Sequence, residues 1–353
     1  MAGGGKLFGL AATALKSNFT SLQKPYKLNF CMTYLCQSRC MICSIWQMKP
    51  QGELTIDEIR SFTKKNNSFR WVNLTGGEPF LRSDIVEVAR AFVENCKDLY
   101  VVTTPTNSLC DLKMVERKIR DILELGVPRY IMTVSLDGHR ELHDKLRGIP
   151  GNFDKAMENY KMMLGIKKDY PNFDAVFGYT MSRLNLGQFE QTFQSVKKFF
   201  PDIEYTDFHI NLAQTSSMYY KNGAQSVSPI GEEASMEISQ MYSKRKRLLD
   251  PMHLIEDAFM RKLITFAKSG KPPMKSRGLD ASLYLDSWGN VYPSIMWDKK
   301  IGNIRDVDYD LANLWHTPIA EEVRKEIMDG KEPVEWTACE AHQSLVGNLV
   351  QML

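Results

Sequence analysis

Long apolar runs are missing. No apolar stretch of the sequence reaches the roughly 20 residues that a helix needs to span a bilayer, so no membrane-spanning helix is expected. A charged-apolar-small leader is missing as well, because Met1-Ala2-Gly3-Gly4-Gly5 is followed by too short and too polar a stretch. Neither sign of charge is in large excess. The 45 Lys and Arg stand against 42 Asp and Glu, a net +3 with histidines neutral, so no broad basic surface exists and no nucleic-acid partner is expected. There is no internal repeat and no low-complexity tract. Cysteine is scarce, odd in number and unevenly spaced: seven in 353 residues, three of them within residues 36–43. That usage excludes a disulfide scaffold and points to metal-binding thiolates in a reducing, cytoplasmic compartment.

What is present is ordinary for a globular chain, 43% hydrophobic and 25% charged, enough for one large α/β domain with an appendage or for two domains. Residues 6–22 put Leu7, Ala11, Leu15, Phe19 and Leu22 on one helical face. The expectation for residues 1–24 is an amphipathic helix packed on the main domain, with peripheral contact to a membrane or lipid as the alternative. From Tyr26 a rhythm begins, with strand-like runs at 26–31, 70–74, 99–104, 130–135, 175–181 and 206–212. Helix-like segments lie between them at 55–67, opened by the capping box Thr55-Ile56-Asp57-Glu58, at 83–96, opened by Ser83, and at 111–125, 152–169 and 187–199. Strands alternating with helices predict right-handed βαβ units and a parallel sheet. Six units are too few to close an eight-fold barrel, so a partial (β/α)6 TIM-like barrel is expected over residues 25–212, working at the C-terminal ends of its strands. Residues 213–280 then read as a loop and helical linker or lid, with helices near 232–248 and 251–269. The basic run Lys244-Arg245-Lys246-Arg247 falls on a solvated helix face. A small α+β extension follows over 281–353, with a hairpin around Trp288-Gly289-Asn290 and closing helices near 308–315 and 317–329.

Cys36-Gln37-Ser38-Arg39-Cys40-Met41-Ile42-Cys43 directly follows the first expected strand. A compact loop brings its three thiolates to one side of a metal centre, and soft thiolates select iron–sulfur or zinc. Three ligands on a four-iron cube leave one iron open, as catalysis on a bound molecule requires. The competing reading is structural zinc completed by Cys31 or a histidine.

The C-x3-C-x2-C loop resembles the signature of the radical S-adenosylmethionine (SAM) superfamily. Thr75-Gly76-Gly77-Glu78-Pro79, after the second strand, resembles that family's GGEP motif; Thr106-Asn107 and Ser135-Leu136-Asp137-Gly138 follow the third and fourth strands. The run continuing through His143 to Arg147 is similar to the subgroup of molybdenum-cofactor, sulfatase-maturase and peptide-modifying enzymes. The resemblance implies a [4Fe–4S] cluster on Cys36, Cys40 and Cys43, with SAM chelating the open iron. Gly76, Gly77 and Glu78 would hold its methionine end, and Asn107, Ser135, Asp137 and Asn185 would meet its ribose or carboxylate. Ile42 stands where the family commonly has an aromatic residue against adenine. The implied activity is reductive cleavage of SAM to a 5′-deoxyadenosyl radical that takes hydrogen from an organic substrate (small metabolite, peptide or lipid). The enzyme would be an oxidoreductase or a radical epimerase, lyase or transferase, fed by a low-potential donor such as flavodoxin or ferredoxin. The alternative is a non-catalytic binding module stabilised by Fe–S or zinc.

Residues 283–334 resemble the end of a SPASM or twitch extension. Ser294 stands where relatives carry a ligand cysteine, Ser276 lies near another such place, and Cys339-Glu340-Ala341-His342 replaces a Cys-x2-Cys pair. The expectation is an extension without an auxiliary cluster, with a Cys339/His342 metal site as an open alternative. Cys31, Cys96 and Cys110 read as small hydrophobes, and His139 and His143 as surface residues. His209 lines the cavity if it points inward, and Tyr219, Tyr220 and Arg277 reach over the cavity mouth. No catalytic acid or base is assigned.

Overall fold

The structure is a computed structural model that describes residues 2–333 and 336–349. Val334, where the expected hairpin-and-helix run ends, and residues 350–353 of the expected C-terminal unit lie outside the described residues. Six strands, β1 (Lys27–Thr33), β2 (Trp71–Gly76), β3 (Val101–Thr106), β4 (Arg129–Ser135), β5 (Phe173–Met181) and β6 (Phe208–Leu212), pair in parallel in chain order. On the free side of β1 a further parallel strand, β7 (Ser282–Leu285), leads into antiparallel β8 (Asn290–Tyr292) and β9 (Gly302–Asn303). The sheet thus runs β6-β5-β4-β3-β2-β1-β7-β8-β9 and does not close. This is the expected partial barrel, and its extension continues the same sheet.

Helices α1 (Ala2–Lys16), α2 (Ile56–Lys65), α3 (Ile85–Asn95), α4 (Leu112–Glu124), α5 (Arg140–Arg147), α6 (Asn152–Asp169) and α7 (Phe189–Lys197) precede α8 (Glu232–Ser243) and α9 (Pro251–Ser269). The chain ends through α10 (Ala312–Trp315), α11 (Pro318–Met328) and α12 (Ala338–Val346). The capping box at Thr55 forms: the Glu58 N–H donates to the Thr55 hydroxyl (3.3 Å) and the Thr55 N–H to the Glu58 carboxylate (2.8 Å). Alternation along β4 sends Tyr130, Met132 and Val134 outward into the helix-covered core, and turns Arg129, Ile131, Thr133 and Ser135 into the barrel. Among the described residues no helix is long and apolar enough to cross a membrane.

Several expectations need correction. On α1 the buried face carries Leu10 and Ala14, whereas Ala11, Leu15 and Phe19 are exposed; the helix is apolar on nearly every side, so periodicity could not single out the inner face. Helix α3 starts after Asp84 rather than Ser83. The basic run lies in the turn beyond α8, and Arg245 is turned inward, donating to the carbonyls of Tyr205 (3.0 Å) and Phe208 (2.6 Å). Those carbonyls, at the start of the edge strand β6, need donors that a neighbouring strand would otherwise supply. Helix α12 was not expected at all.

Two helices fill the gap between β6 and β1. His209 of β6 stacks on Phe259 of α9, with ring centroids 5.5 Å apart. Helix α12 is pinned to β1 by the buried Lys27 ammonium, which donates to the Cys339 carbonyl and to Gln343 Oε1 (both 2.7 Å), and by Asn29 Nδ2, which donates to Glu340 (2.9 Å). Burial pushes the Lys27 ammonium down and the Glu340 carboxyl up, and each keeps the other from losing its charge altogether. Lys27→Met should therefore lower unfolding stability by about 3 kcal/mol, because a buried charge loses its counter-ion. Lys27→Met combined with Glu340→Gln should recover part of that loss. Urea unfolding of both variants checks this, and equal losses in single and double variants would contradict it.

Candidate functional site

The cysteine loop leaves the C-terminal end of β1 and is fixed from two sides. Its Arg39 and Met41 N–H groups donate to the Arg147 and Leu146 carbonyls at the end of α5 (2.9 and 2.8 Å). On the other side the Ser44 N–H donates to the Tyr220 carbonyl (2.8 Å), and Asn222 Nδ2 donates to the Ile42 carbonyl (2.8 Å). Cys36, Cys40 and Cys43 are all free thiols that line one end of a cavity of about 440 Å³ inside the barrel. Donors surround the sulfurs: Arg147 Nη1 lies 3.5 Å and Ser38 Oγ 3.1 Å from Cys40 Sγ, and Asn107 Nδ2 lies 3.6 Å from Cys36 Sγ. Burial pushes the Cys36 and Cys43 thiols up, to about 11 and about 12, so a metal centre taking them as thiolates must displace their protons.

The Gly-Gly-Glu turn lies against this loop. Gly76 has φ 154°, and a Cβ there would strike the Thr33 carbonyl. A Cβ on Gly77 would strike the Leu35 carbonyl and approach Cys36 Cβ to 2.9 Å. Only bare backbone fits, which is why two glycines stand here. Glu78 is fully buried. Its carboxylate accepts from the Asn107 N–H (2.6 Å), the Phe80 N–H (3.2 Å) and the Thr106 hydroxyl (3.4 Å), and burial outweighs these bonds to push it up to about 7.

Asp137 and Ser135 also face the cavity. Asp137 pairs with Arg147 at 2.7 Å and accepts from the Thr180 N–H (3.0 Å). Asn185 is not brought to the cavity. It is buried, its Nδ2 donates to the Asp137 and Thr180 carbonyls (2.8 and 3.0 Å), and its Oδ1 accepts from the Ser182 N–H (2.6 Å). Its polar atoms are spent bracing the Ser135–Asp137 turn from behind. His143 is likewise no surface residue: it is buried on α5, accepts the Asp137 N–H at Nδ1 (3.0 Å), and is held low, to about 3, by burial and then by Arg147. His143 and Arg147 sit four apart on one helix just past the Asp137 turn, a spacing that could have flagged both.

The far wall of the cavity was mostly missed. His209, whose orientation the sequence left open, points inward, and its Nδ1 lies 3.0 Å from Glu256 of α9. Glu256 also lies 3.6 Å from Nε2 of His342 on α12, whose ring stacks on Trp71 (centroids 5.5 Å). Burial alone would raise the Glu256 carboxyl, but His209, His342 and Arg245 hold it well below the carboxylate range. Burial lowers His342 to about 4 despite Glu256, so it is neutral at pH 7. Cys339 shares this wall. Among the described residues, no three His, Cys, Asp or Glu side chains are gathered so as to hold a single metal ion; a cubane does not require that, because its three thiolates sit on separate irons. Tyr219 and Tyr220 line the cavity, with the Tyr219 hydroxyl donating to the Gly76 carbonyl (3.1 Å). Arg277 does not reach it; it pairs with Asp280 (3.0 Å) and donates to the Gly347 carbonyl. Cys31 and Cys96 are buried in apolar surroundings, and Cys110 is half-buried beside Gln37.

Three soft donors ringed by positive and amide groups suit an iron–sulfur cube. Ser in place of Cys36, Cys40 or Cys43 should each strip most iron from anaerobically reconstituted protein, from about four atoms per chain to below one. Ala in place of Cys31 or Cys96 should leave iron unchanged. Iron and sulfide assays check this, and retention of full iron by any of the three Ser variants would contradict it.

Residues 30–196 match the profile of the Radical SAM superfamily. The chain is 31% identical over 172 residues to AdoMet-dependent heme synthase of Methanosarcina barkeri, covering 47% of this chain and 46% of that protein. It is 30% identical over 179 residues to GTP 3′,8-cyclase of Cronobacter sakazakii, covering 46% and 53%. The chain thus spans about half the length of these curated relatives. Among solved structures, anSMEcpe with bound AdoMet superposes with a TM-score of 0.58 at 16% identity, covering 84% of this chain and 82% of that one, a likeness of fold. With the thiol loop, the Gly-Gly-Glu turn and the open parallel barrel already in view, the match has one consequence: residues 30–196 form a radical SAM domain, of a superfamily that uses a [4Fe–4S] cluster and SAM.

Proposed function

We propose that the chain is an enzyme that reductively cleaves SAM and removes a hydrogen atom from an organic substrate held inside the barrel. The observation that carries this reading is that the three thiols, the Gly-Gly-Glu turn and the polar inner wall of β2–β6 all face one cavity. When bound, the cluster and SAM supply the electron and the 5′-deoxyadenosyl radical for that abstraction. The chain's own residues carry the rest. Arg147 and Asn107 steady the negative charge on Cys40 and Cys36. Gly76 and Gly77 line the cavity and would meet the methionine end of SAM there, and an ammonium arriving near Glu78 would compensate a carboxylate that burial now penalises. Ser135 and Asp137 suit a ribose or carboxylate, with Asn185 bracing their turn, and Ile42 offers an apolar face to adenine. Tyr219 and Tyr220 shield the cavity from water.

Deeper in the barrel, Thr103, Thr133 and Asn211 offer hydroxyl and amide groups to a polar substrate, while Asn73 is tied to Trp71, Thr103 and Asn29. His342 is neutral, and its Nε2 faces Glu256 at 3.6 Å, so the ring adds a polar edge to the same wall. The names of the relatives speak of haem synthesis and GTP cyclisation. They support a cofactor precursor as the substrate, with a flavodoxin- or ferredoxin-like protein as electron donor. Reconstituted protein given SAM and dithionite should release 5′-deoxyadenosine, and Cys36→Ser should release none. Among tetrapyrroles and nucleotides, a true substrate should accelerate release at least tenfold, an effect of about 1.4 kcal/mol on the barrier. Absence of 5′-deoxyadenosine from iron-loaded protein would overturn the reading.

A further inference from the structure

Helix α1 has two apolar faces. Leu10 and Ala14, with Leu22 beyond the helix, seat it on Tyr26, Trp71 and Val101 at the N-terminal end of the barrel. The opposite face carries Phe8, Ala11, Ala12, Leu15 and, one turn past the helix, Phe19. Spacings of three, four, seven and eleven put these side chains in one outward stripe. Phe8 is 75% and Phe19 80% exposed. A helix docked on a domain ordinarily turns charge to solvent, whereas one apolar on all sides belongs in a core or a membrane. A second exposed apolar site is the turn between α8 and α9, where Arg247, Leu248 and Leu249 are exposed, Leu249 at 86%. Met252, three residues on, packs against the cluster that also holds Leu10 and Ala14.

The charge carried by α1 itself and by the segment that follows it is of one sign. Lys6, Lys16 and Lys24 fall within the first 26 residues, which contain no Asp or Glu; the first acidic residue of the chain is Glu53. Exposed aromatic and leucine side chains framed by lysines match the chemistry of a helix lying in the headgroup region of an anionic bilayer. A second copy of the chain fits less well, because pairing the stripe with itself would bring two lysine sets together.

We propose that the outward face of α1, with the Arg247–Leu249 turn, docks the protein onto the surface of an anionic lipid bilayer. The docked side adjoins the working cavity, since Trp71 and Met252 belong both to the seat of α1 and to the cavity wall. This inference does not depend on the proposed reaction. The test is co-sedimentation of the full, cluster-loaded chain with vesicles of phosphatidylcholine containing about one-third phosphatidylglycerol, against pure phosphatidylcholine and at raised salt. The chain should pellet with the anionic vesicles at least tenfold more than with neutral ones, and raised salt should weaken the binding. The triple variant Phe8→Ser, Leu15→Ser, Phe19→Ser should lose at least tenfold of the vesicle binding while keeping its iron content, melting temperature and release of 5′-deoxyadenosine. The proposal is overturned if the unaltered chain stays in the supernatant, or if the triple variant binds as well as the parent. It is also overturned if light scattering shows a dimer that the triple variant breaks without any vesicle binding by the parent.

Discussion

The structure depends on a close backbone approach at the ends of two neighbouring strands. Where β1 and β2 finish, Gly76 and Gly77 lie so near Thr33, Leu35 and Cys36 that no side chain can stand between them. The contact is held by hydrogen bonds from the Gly77 N–H to the Thr33 carbonyl (2.8 Å) and from the Glu78 N–H to the Leu35 carbonyl (2.7 Å). The thiol loop and the Gly-Gly-Glu turn are therefore one rigid unit. The ends of β3 and β4 join it through Glu78, which takes the Asn107 N–H, and through Asp137, which grips Arg147 beside Cys40. Few of these groups are free to relax, as a site that must present reacting groups in fixed positions requires.

The second constraint is the open side of the barrel. The parallel strands leave an exposed edge on β6, and beyond β1 the sheet continues through β7 without closing back on it. Helices α9 and α12 cover it, bringing buried charge with them. Lys27 and Glu340 face each other across the seam, and Glu256 lies between His209 and His342. Such groups persist in an interior only when paired. The seam also ends as cavity wall, so the residues that complete the fold are the ones a substrate would meet.

Much of this was legible in the sequence, for identifiable reasons. The six strands and their helices carry strong periodicity, and their observed bounds lie within about three residues of those expected. The thiols and the Gly-Gly-Glu turn are contiguous motifs, readable without knowing the fold. What was hidden depends on distant pairings. Nothing near Glu256 or His342 announces that two helices more than 60 residues apart converge on β6, and Cys339–His342 read as a worn ligand pair instead of one helical turn. Asn185 was given a ligand's role because its motif position is indifferent to whether the side chain faces the cavity or the turn behind it. The inner face of α1 could not be read from a helix apolar all round.

The central claim is that Cys36, Cys40 and Cys43 hold an iron–sulfur cube with one corner available to SAM. Electron paramagnetic resonance of anaerobically reconstituted, dithionite-reduced protein, recorded before and after SAM is added, addresses it directly. The account predicts the signal of a reduced [4Fe–4S] cluster whose g values move when SAM binds. A protein that takes up zinc but no iron, or a cluster signal that SAM leaves unchanged, would contradict it.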